Sequence, residues 1–134
     1  MKRVFGDALY FLALANPRDA FHKAAVEFAR TWRGIIVTTR WVMAEVCDGL
    51  SSTANRRLAV TLIRKITASE RFRVVSGTEE LFARGFDLYS RRADKDWSLT
   101  DCISFVVMGD EGLTDALTSD RHFGQAGFTA LLAQ

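Results

Sequence analysis

The chain has few of the residues that staple a small fold together. Among 134 residues there are two cysteines, Cys47 and Cys102, and two histidines, His22 and His122. The cysteines form no C-x-x-C pair and have no histidine at zinc-finger spacing, so neither a structural zinc nor a dithiol redox motif is indicated. Both lie in apolar stretches and are expected to be buried thiols in a reducing compartment. There is one proline, Pro17, in the turn Asn16-Pro17-Arg18-Asp19, and no repeat, linker or low-complexity tract. No apolar run approaches the ~18 residues of a membrane span. Met1-Lys2-Arg3 followed by Ala8 to Ala15 has the outline of a leader, but Asp7 interrupts the run and what remains is short for one. An excess of either charge is also missing: 18 basic against 16 acidic side chains leave a net charge of +2. Any affinity for nucleic acid must therefore come from a local patch. The expectation is a soluble, cytoplasmic, single domain over residues 1–134, with no membrane association.

Hydrophobic residues make up 49% of the chain and charged residues 25%, enough for an ordinary core. Lys2 to Gly6 reads as a short buried strand and Ala8 to Ala15 as a helix. A longer helix capped by Asp19 carries Phe21, Ala24, Ala25, Phe28 and Trp32 at helical spacing, ending at Gly34. Ile35 to Thr38 is a β-branched run without polar alternation, the mark of a strand covered on both faces. Helices follow over Trp41 to Leu50 and Asn55 to Ser69, then a strand over Phe72 to Val75. Ser76-Gly77-Thr78-Glu79 has capping-box form and opens a helix to about Arg92. Ser98 or Thr100 opens another through Met108. Strands are expected over Leu113 to Thr118 and Phe128 to Leu132. Alternating apolar strands and helices predict an α/β fold, a three-layer α/β/α sandwich around a short parallel sheet. Ligands bind such sheets at the carboxyl ends of the strands.

Four acids stand where a charge is costly. Asp7 and Asp120 follow strands, Glu45 lies inside an apolar helix, and Asp101 opens a helix. Carboxylates converging on one cleft suit hard divalent cations such as Mg²⁺ or Mn²⁺. Each acid also has a plainer reading. Asp7 is a possible N-cap, Asp101 completes the capping box begun by Ser98, Asp120 suits a turn, and Glu45 could face solvent.

The segments Val4 to Leu14 with Asp7, Thr38 to Leu50 with Glu45, Trp97 to Asp101, and Ala116-Leu117-Thr118-Ser119-Asp120-Arg121-His122-Phe123 with Gly127-Phe128 resemble the ordered motifs of PIN domains. The VapC-type toxins of toxin–antitoxin pairs are the subgroup they most resemble. The likeness spans nearly the whole chain, and its last motif is the most specific. It implies a PIN-like fold and a metal-dependent endoribonuclease in which Asp7, Glu45, Asp101 and Asp120 bind one or two Mg²⁺ or Mn²⁺ ions. It also implies a supporting hydroxyl from Thr118, an RNA substrate, a small antitoxin protein as partner and a homodimer. The family usually carries Ser or Thr after the first aspartate, where this chain has Ala8. That departure keeps open a non-catalytic or weakly active RNA- or protein-binding module of the same fold. Asp96 is an outer-sphere candidate, His122 is expected to fix the turn after Asp120, and Arg18, Arg40 and Arg121 are candidates for phosphate contacts. A 5′-nuclease-like DNase ranks below these readings, because the chain has no room for a helical arch. An aspartyl phosphatase ranks lower still, because no D-x-D follows the first strand.

Overall fold

The fold was analysed in a computed structural model, which describes residues 1–133. The elements run β1 (Arg3–Gly6), α1 (Ala8–Ala15), α2 (His22–Thr31), β2 (Ile35–Thr39), α3 (Arg40–Gly49), α4 (Arg56–Ala68), β3 (Phe72–Val75), α5 (Glu79–Arg91), α6 (Leu99–Glu111), β4 (Asp115–Leu117), α7 (Arg121–Gln125) and β5 (Thr129–Ala130). The five strands form one sheet in the order β3-β2-β1-β4-β5, and every pair is parallel. Parallel strands need crossovers, and these are right-handed. The chain steps one way from β1 to β2 to β3, then crosses back to β4 on the far side of β1. The crossovers before and after β3 therefore cover opposite faces. α1 packs on α2 and α3, and α3 on α4, while α5 packs on α6 and α6 on α7. This is the α/β/α sandwich expected from the sequence.

The core fills the spaces between sheet and helices. Val4, Phe5, Ile36 and Val37 are buried on the two central strands. Tyr10, Phe11, Met108 and Phe123 close over them from α1, α6 and α7. Between α5 and α6 the fit is tight: a Cβ at Gly85 would overlap Ile103 Cγ1 and lie 3.1 Å from Ile103 Cα. Glycine at this position lets the two helices approach closely.

Helix ends follow local chemistry. Thr39 accepts from the Val42 N–H at 3.1 Å and caps α3. Ser98 and Asp101 form a reciprocal capping box at α6. Gly112, at φ 68°, ends α6 in the left-handed conformation that glycine adopts without strain.

Several boundaries differ from those read in the sequence. Asp19 does not cap α2. Its Oδ1 accepts from the Phe21 N–H at 2.8 Å inside the preceding turn, and the helix begins at His22. That helix ends at Thr31 with Trp32 as its C-cap, before Gly34. Ser76 opens no capping box; Thr78 is the N-cap of α5 and accepts from the Leu81 N–H at 3.2 Å. The last two strands shorten to Asp115–Leu117 and Thr129–Ala130, which pair with each other in register only at Asp115 with Thr129 and Ala116 with Ala130. Cys102 is buried as expected, but Cys47 is exposed. Val42, Met43 and Val46 take the inward face of α3, so Cys47 falls on the outward one.

Candidate active site

The strand order reverses between β1 and β4, and the crevice beyond their carboxyl ends is where such sheets bind ligands. Asp7 is the first residue after β1, and its N–H donates to the Leu117 carbonyl of β4 at 3.2 Å. Thr118 and Asp120 follow β4 directly. Asp101 arrives in the first turn of α6, and Glu45 comes from the middle of α3. All four acids line one cleft of about 460 Å³, together with Ala8, Leu9, Leu12, Asp48, Asp96, Ser98 and His122. Six carboxylates and neither a lysine nor an arginine line it.

The tightest group is Asp101, Asp120 and His122, whose potential ligand atoms all lie within 4.8 Å of one another. His122 Nδ1 stands 3.3 Å from Asp101 Oδ2 and 3.4 Å from Asp120 Oδ1. Facing two carboxylate acceptors, this nitrogen carries the proton. The expectation that His122 fixes the turn holds for its backbone, since its N–H donates to Asp120 Oδ1 at 2.9 Å. Its ring does something the sequence does not announce, tying Asp120 to Asp101.

Asp7 and Thr118 form the second pair. Asp7 is only 4% exposed. Although it is the N-cap residue of α1, its side chain makes no capping bond. Instead Oδ2 accepts from the Thr118 hydroxyl at 2.8 Å, and Thr118 Oγ1 in turn accepts from the Asp120 N–H at 3.0 Å. Ala8 offers no hydroxyl, so the one that holds Asp7 comes from across the sheet. In Asp7, Asp101 and Asp120 alike, one carboxylate oxygen is held by the protein. The other oxygen of each has no side-chain donor among the described residues. Anchoring one oxygen fixes the direction of the other, as outer partners do for metal ligands.

The charges in the cleft oppose one another. Burial raises the Asp7 carboxyl to about 6, the Thr118 hydroxyl pulls it back, and the Asp101 and Asp120 charges add to the rise. Burial also raises Glu45, to about 7, with Asp7, Asp101, Asp48 and Asp120 adding to it. Asp101 is raised by burial and by Asp120, against the pull of His122. The solvent-facing alternative for Glu45 therefore fails: it is half-buried and faces the other acids. The capping alternatives for Asp101 and Asp120 are true of one oxygen of each, and a capped carboxylate still presents its second oxygen to the cleft.

Asp48 is absent from the sequence reading. It lies three residues after Glu45, on the same side of α3, and that i, i+3 spacing was the available signal. Asp96 lines the rim and is exposed. Of the other acids near the site in sequence, Asp94 pairs with Arg92 and Asp110 with Arg84, both at the surface. Arg18, Arg40 and Arg121 are exposed, and none lines the cleft.

Thr118 gives a direct test of this arrangement. Thr118→Val should leave Asp7 Oδ2 and the Asp120 N–H without their partner, at a cost of about 1–3 kcal/mol in stability by urea unfolding. It should also push the Asp7 carboxyl further up, moving the acidic limb of any pH–rate profile to higher pH.

Similarity to known proteins follows the same geometry. The chain is 29% identical, over 93% of its length and 95% of the relative's, to the 23S rRNA-specific endonuclease VapC20 of Mycobacterium tuberculosis. The crystal structure of that VapC20, described as a Sarcin-Ricin loop cleaving toxin, superposes with a TM-score of 0.86 at 28% identity, covering 94% of this chain and 96% of that one. FitAcB of Neisseria gonorrhoeae shares the fold at a TM-score of 0.68 and 16% identity, covering 95% of this chain and 94% of that one. VapBC2 of Rickettsia felis, solved with a promoter DNA fragment, shares it at 0.67 and 12% identity, with 96% and 97% covered. The family model described as PIN domain matches residues 4–129, and the chain belongs to the PIN domain family.

Proposed function

We propose that this chain is a metal-dependent endoribonuclease, the toxin of a toxin–antitoxin pair, with Asp7, Glu45, Asp101 and Asp120 holding Mg²⁺ or Mn²⁺. The observation that carries the reading is the cleft itself: six carboxylates with no lysine or arginine, placed where the strand order reverses. So much like charge is costly in a folded protein unless something positive belongs there. Oxygen donors alone suit a hard divalent ion, so the residues present fit it. When bound, such an ion supplies Lewis acidity toward the phosphodiester and acidifies water.

The remaining work falls to the chain. Asp7, Asp101 and Asp120 each offer an oxygen aimed by a protein hydrogen bond to the other. Glu45 faces the cleft from α3, and without metal its burial and the other acids hold its carboxyl up at about 7, whereas a bound cation would favour its charged form. Leu9, Leu12 and Ala8 form an apolar wall that limits water around the reacting phosphate. Arg18, Arg40 and Arg121 contact phosphates farther along the strand. The relative's specificity makes large-subunit ribosomal RNA the first substrate to try.

The test is incubation of purified protein with total ribosomal RNA, in Mn²⁺ and in EDTA. Discrete cleavage in Mn²⁺ that EDTA abolishes is the expected result. Intact RNA in both would favour the non-catalytic module, for which Ala8 is the specific observation. A small antitoxin covering the cleft is the proposed protein partner, and the cytoplasm the proposed location; among the described residues no helix is long and apolar enough to cross a membrane. A homodimer is also proposed. Leu58 and Val60 are each 42% exposed on α4, on the two flanks of its solvent-facing side. Sedimentation should show a dimer at micromolar concentration, and a strict monomer would overturn this part.

A further inference from the structure

An RNA strand cut in the acidic cleft has to enter and leave it, and six carboxylates repel every phosphate that is not at the metal. The path therefore needs a neighbouring surface of different character. One groove adjoins the cleft directly: Asp96 and Ser98 line both. It has a volume of about 700 Å³ and runs from the end of α5 to the start of α6. A volume of this order suits a small ligand and accommodates a nucleotide.

Across the shared residues the chemistry reverses. Arg92 and Lys95 line the groove beside Asp96, with Asp94 paired to Arg92, whereas neither a lysine nor an arginine lines the cleft. The Arg92 guanidinium lies 4.9 Å from the Trp97 ring centroid and is held by Asp94, so it is fixed in place. Lys95 makes no ion pair among the described residues, and its ammonium is free for a phosphate. Tyr89, 47% exposed, lines the same groove. Its ring stacks on Phe86, with centroids 6.3 Å apart and an interplanar angle of 21°, and Phe86 stacks on Phe82. An exposed aromatic ring with its plane set in advance, in the same groove as a cation without an ion pair, is the combination that holds single-stranded nucleic acid by stacking and phosphate contact.

We propose that this groove is a nucleotide subsite, in which Tyr89 stacks on a base flanking the scissile bond and Lys95 contacts its phosphate. The inference rests on the nuclease reading and deepens it, placing strand binding outside the acidic cleft. These residues position the RNA and take no part in bond cleavage. A short substrate such as bis(p-nitrophenyl) phosphate occupies only the cleft and is blind to them.

The experiment compares wild type with the Tyr89→Ala/Lys95→Ala double variant, with Tyr89→Phe as the conservative control. Steady-state cleavage of an octanucleotide RNA and hydrolysis of bis(p-nitrophenyl) phosphate are measured in Mn²⁺. Binding of the fluorescein-labelled octanucleotide is measured by anisotropy in Ca²⁺. In the double variant, KM for RNA and the anisotropy Kd should rise about tenfold or more, as loss of one stacked base implies. The RNA kcat and the small-ester rate should stay within about twofold, and Tyr89→Phe should behave as wild type. Cleavage with an unchanged KM and Kd would overturn the groove and leave the nuclease reading standing. RNA binding that depends on Tyr89 and Lys95 without any cleavage would support the groove and overturn the nuclease. Weakened dimerisation with an unchanged Kd would assign this face to a second copy and overturn the subsite.

Discussion

Asp101→Asn should reduce RNA cleavage by about a thousandfold or more while leaving the fold intact. Asparagine keeps an oxygen at the N3 position of α6 for the Ser98 N–H, which donates to Asp101 Oδ2 at 3.3 Å, so the reciprocal capping bond survives. Stability should therefore change by about 1 kcal/mol at most, the net worth of one hydrogen bond. What disappears is a charge in the centre of the acidic cluster, 3.3 Å from His122 and within range of Asp120. Charge stabilisation by a bound cation is worth several kcal/mol in the transition state, and each ~1.4 kcal/mol is a factor of ten in rate. The control is Asp94→Asn. Asp94 is exposed and pairs with Arg92, so its loss should leave hydrolysis of a small phosphodiester unaltered. Single-turnover cleavage of one RNA by Asp101→Asn, with small-phosphodiester hydrolysis by both variants, decides the matter: an Asp101→Asn rate near wild type would remove Asp101 from the chemistry.

The sequence shows the fold more fully than the site, and the reasons are physical. β1 and β2 lie inside the sheet and bury Val4, Phe5, Ile36 and Val37, so they appear as short apolar runs, whereas the edge strand β3 carries an exposed Arg73 between Phe72 and Val74. The short strands β4 and β5 are limited by pairing partners distant in the chain, and their ends are not written locally. At the site, Asp7, Glu45, Asp101 and Asp120 stand out because each interrupts an apolar or tightly capped segment. Their convergence is not local information. It comes from the crossing of the chain between β3 and β4, which sets Thr118 beside Asp7, 111 residues away. The His122 ring bond to Asp101 likewise depends on where α7 lands. Exposure of Cys47 was missed for the opposite reason: its neighbour Val46 is buried, but one step along a helix turns a side chain by about 100°.

Without metal, the protein should lose stability as pH rises from mildly acidic to neutral, and Mn²⁺ should restore it. Both Asp7, at about 6, and Glu45, at about 7, lie above their ordinary values of 3.8 and 4.5. The folded state thus holds protons that the unfolded chain has released. Below the ordinary carboxylate range both states are protonated and there is no penalty. The penalty grows as pH climbs from about 4 through 6 to 7, and then levels off. For Asp7, buried almost completely, a shift of this size corresponds to about 3 kcal/mol at neutral pH. Asp7→Asn removes the charge and keeps a carbonyl oxygen for the Thr118 hydroxyl. In EDTA at pH 7.5 this variant should unfold at a higher temperature than wild type, and near pH 4 the two should converge. Mn²⁺ at a hundredfold excess over its Kd should stabilise wild type by about 2.7 kcal/mol, on the order of 8 °C for a chain of this size. The same addition should move Asp7→Asn far less, because one ligand charge is gone. Thermal unfolding of both proteins across pH 4 to 8, with EDTA or Mn²⁺, separates the readings. If wild type shows neither the decline with pH nor the response to Mn²⁺, the acids are not a strained cation site. Capping and turn formation would then be all that Asp101 and Asp120 do.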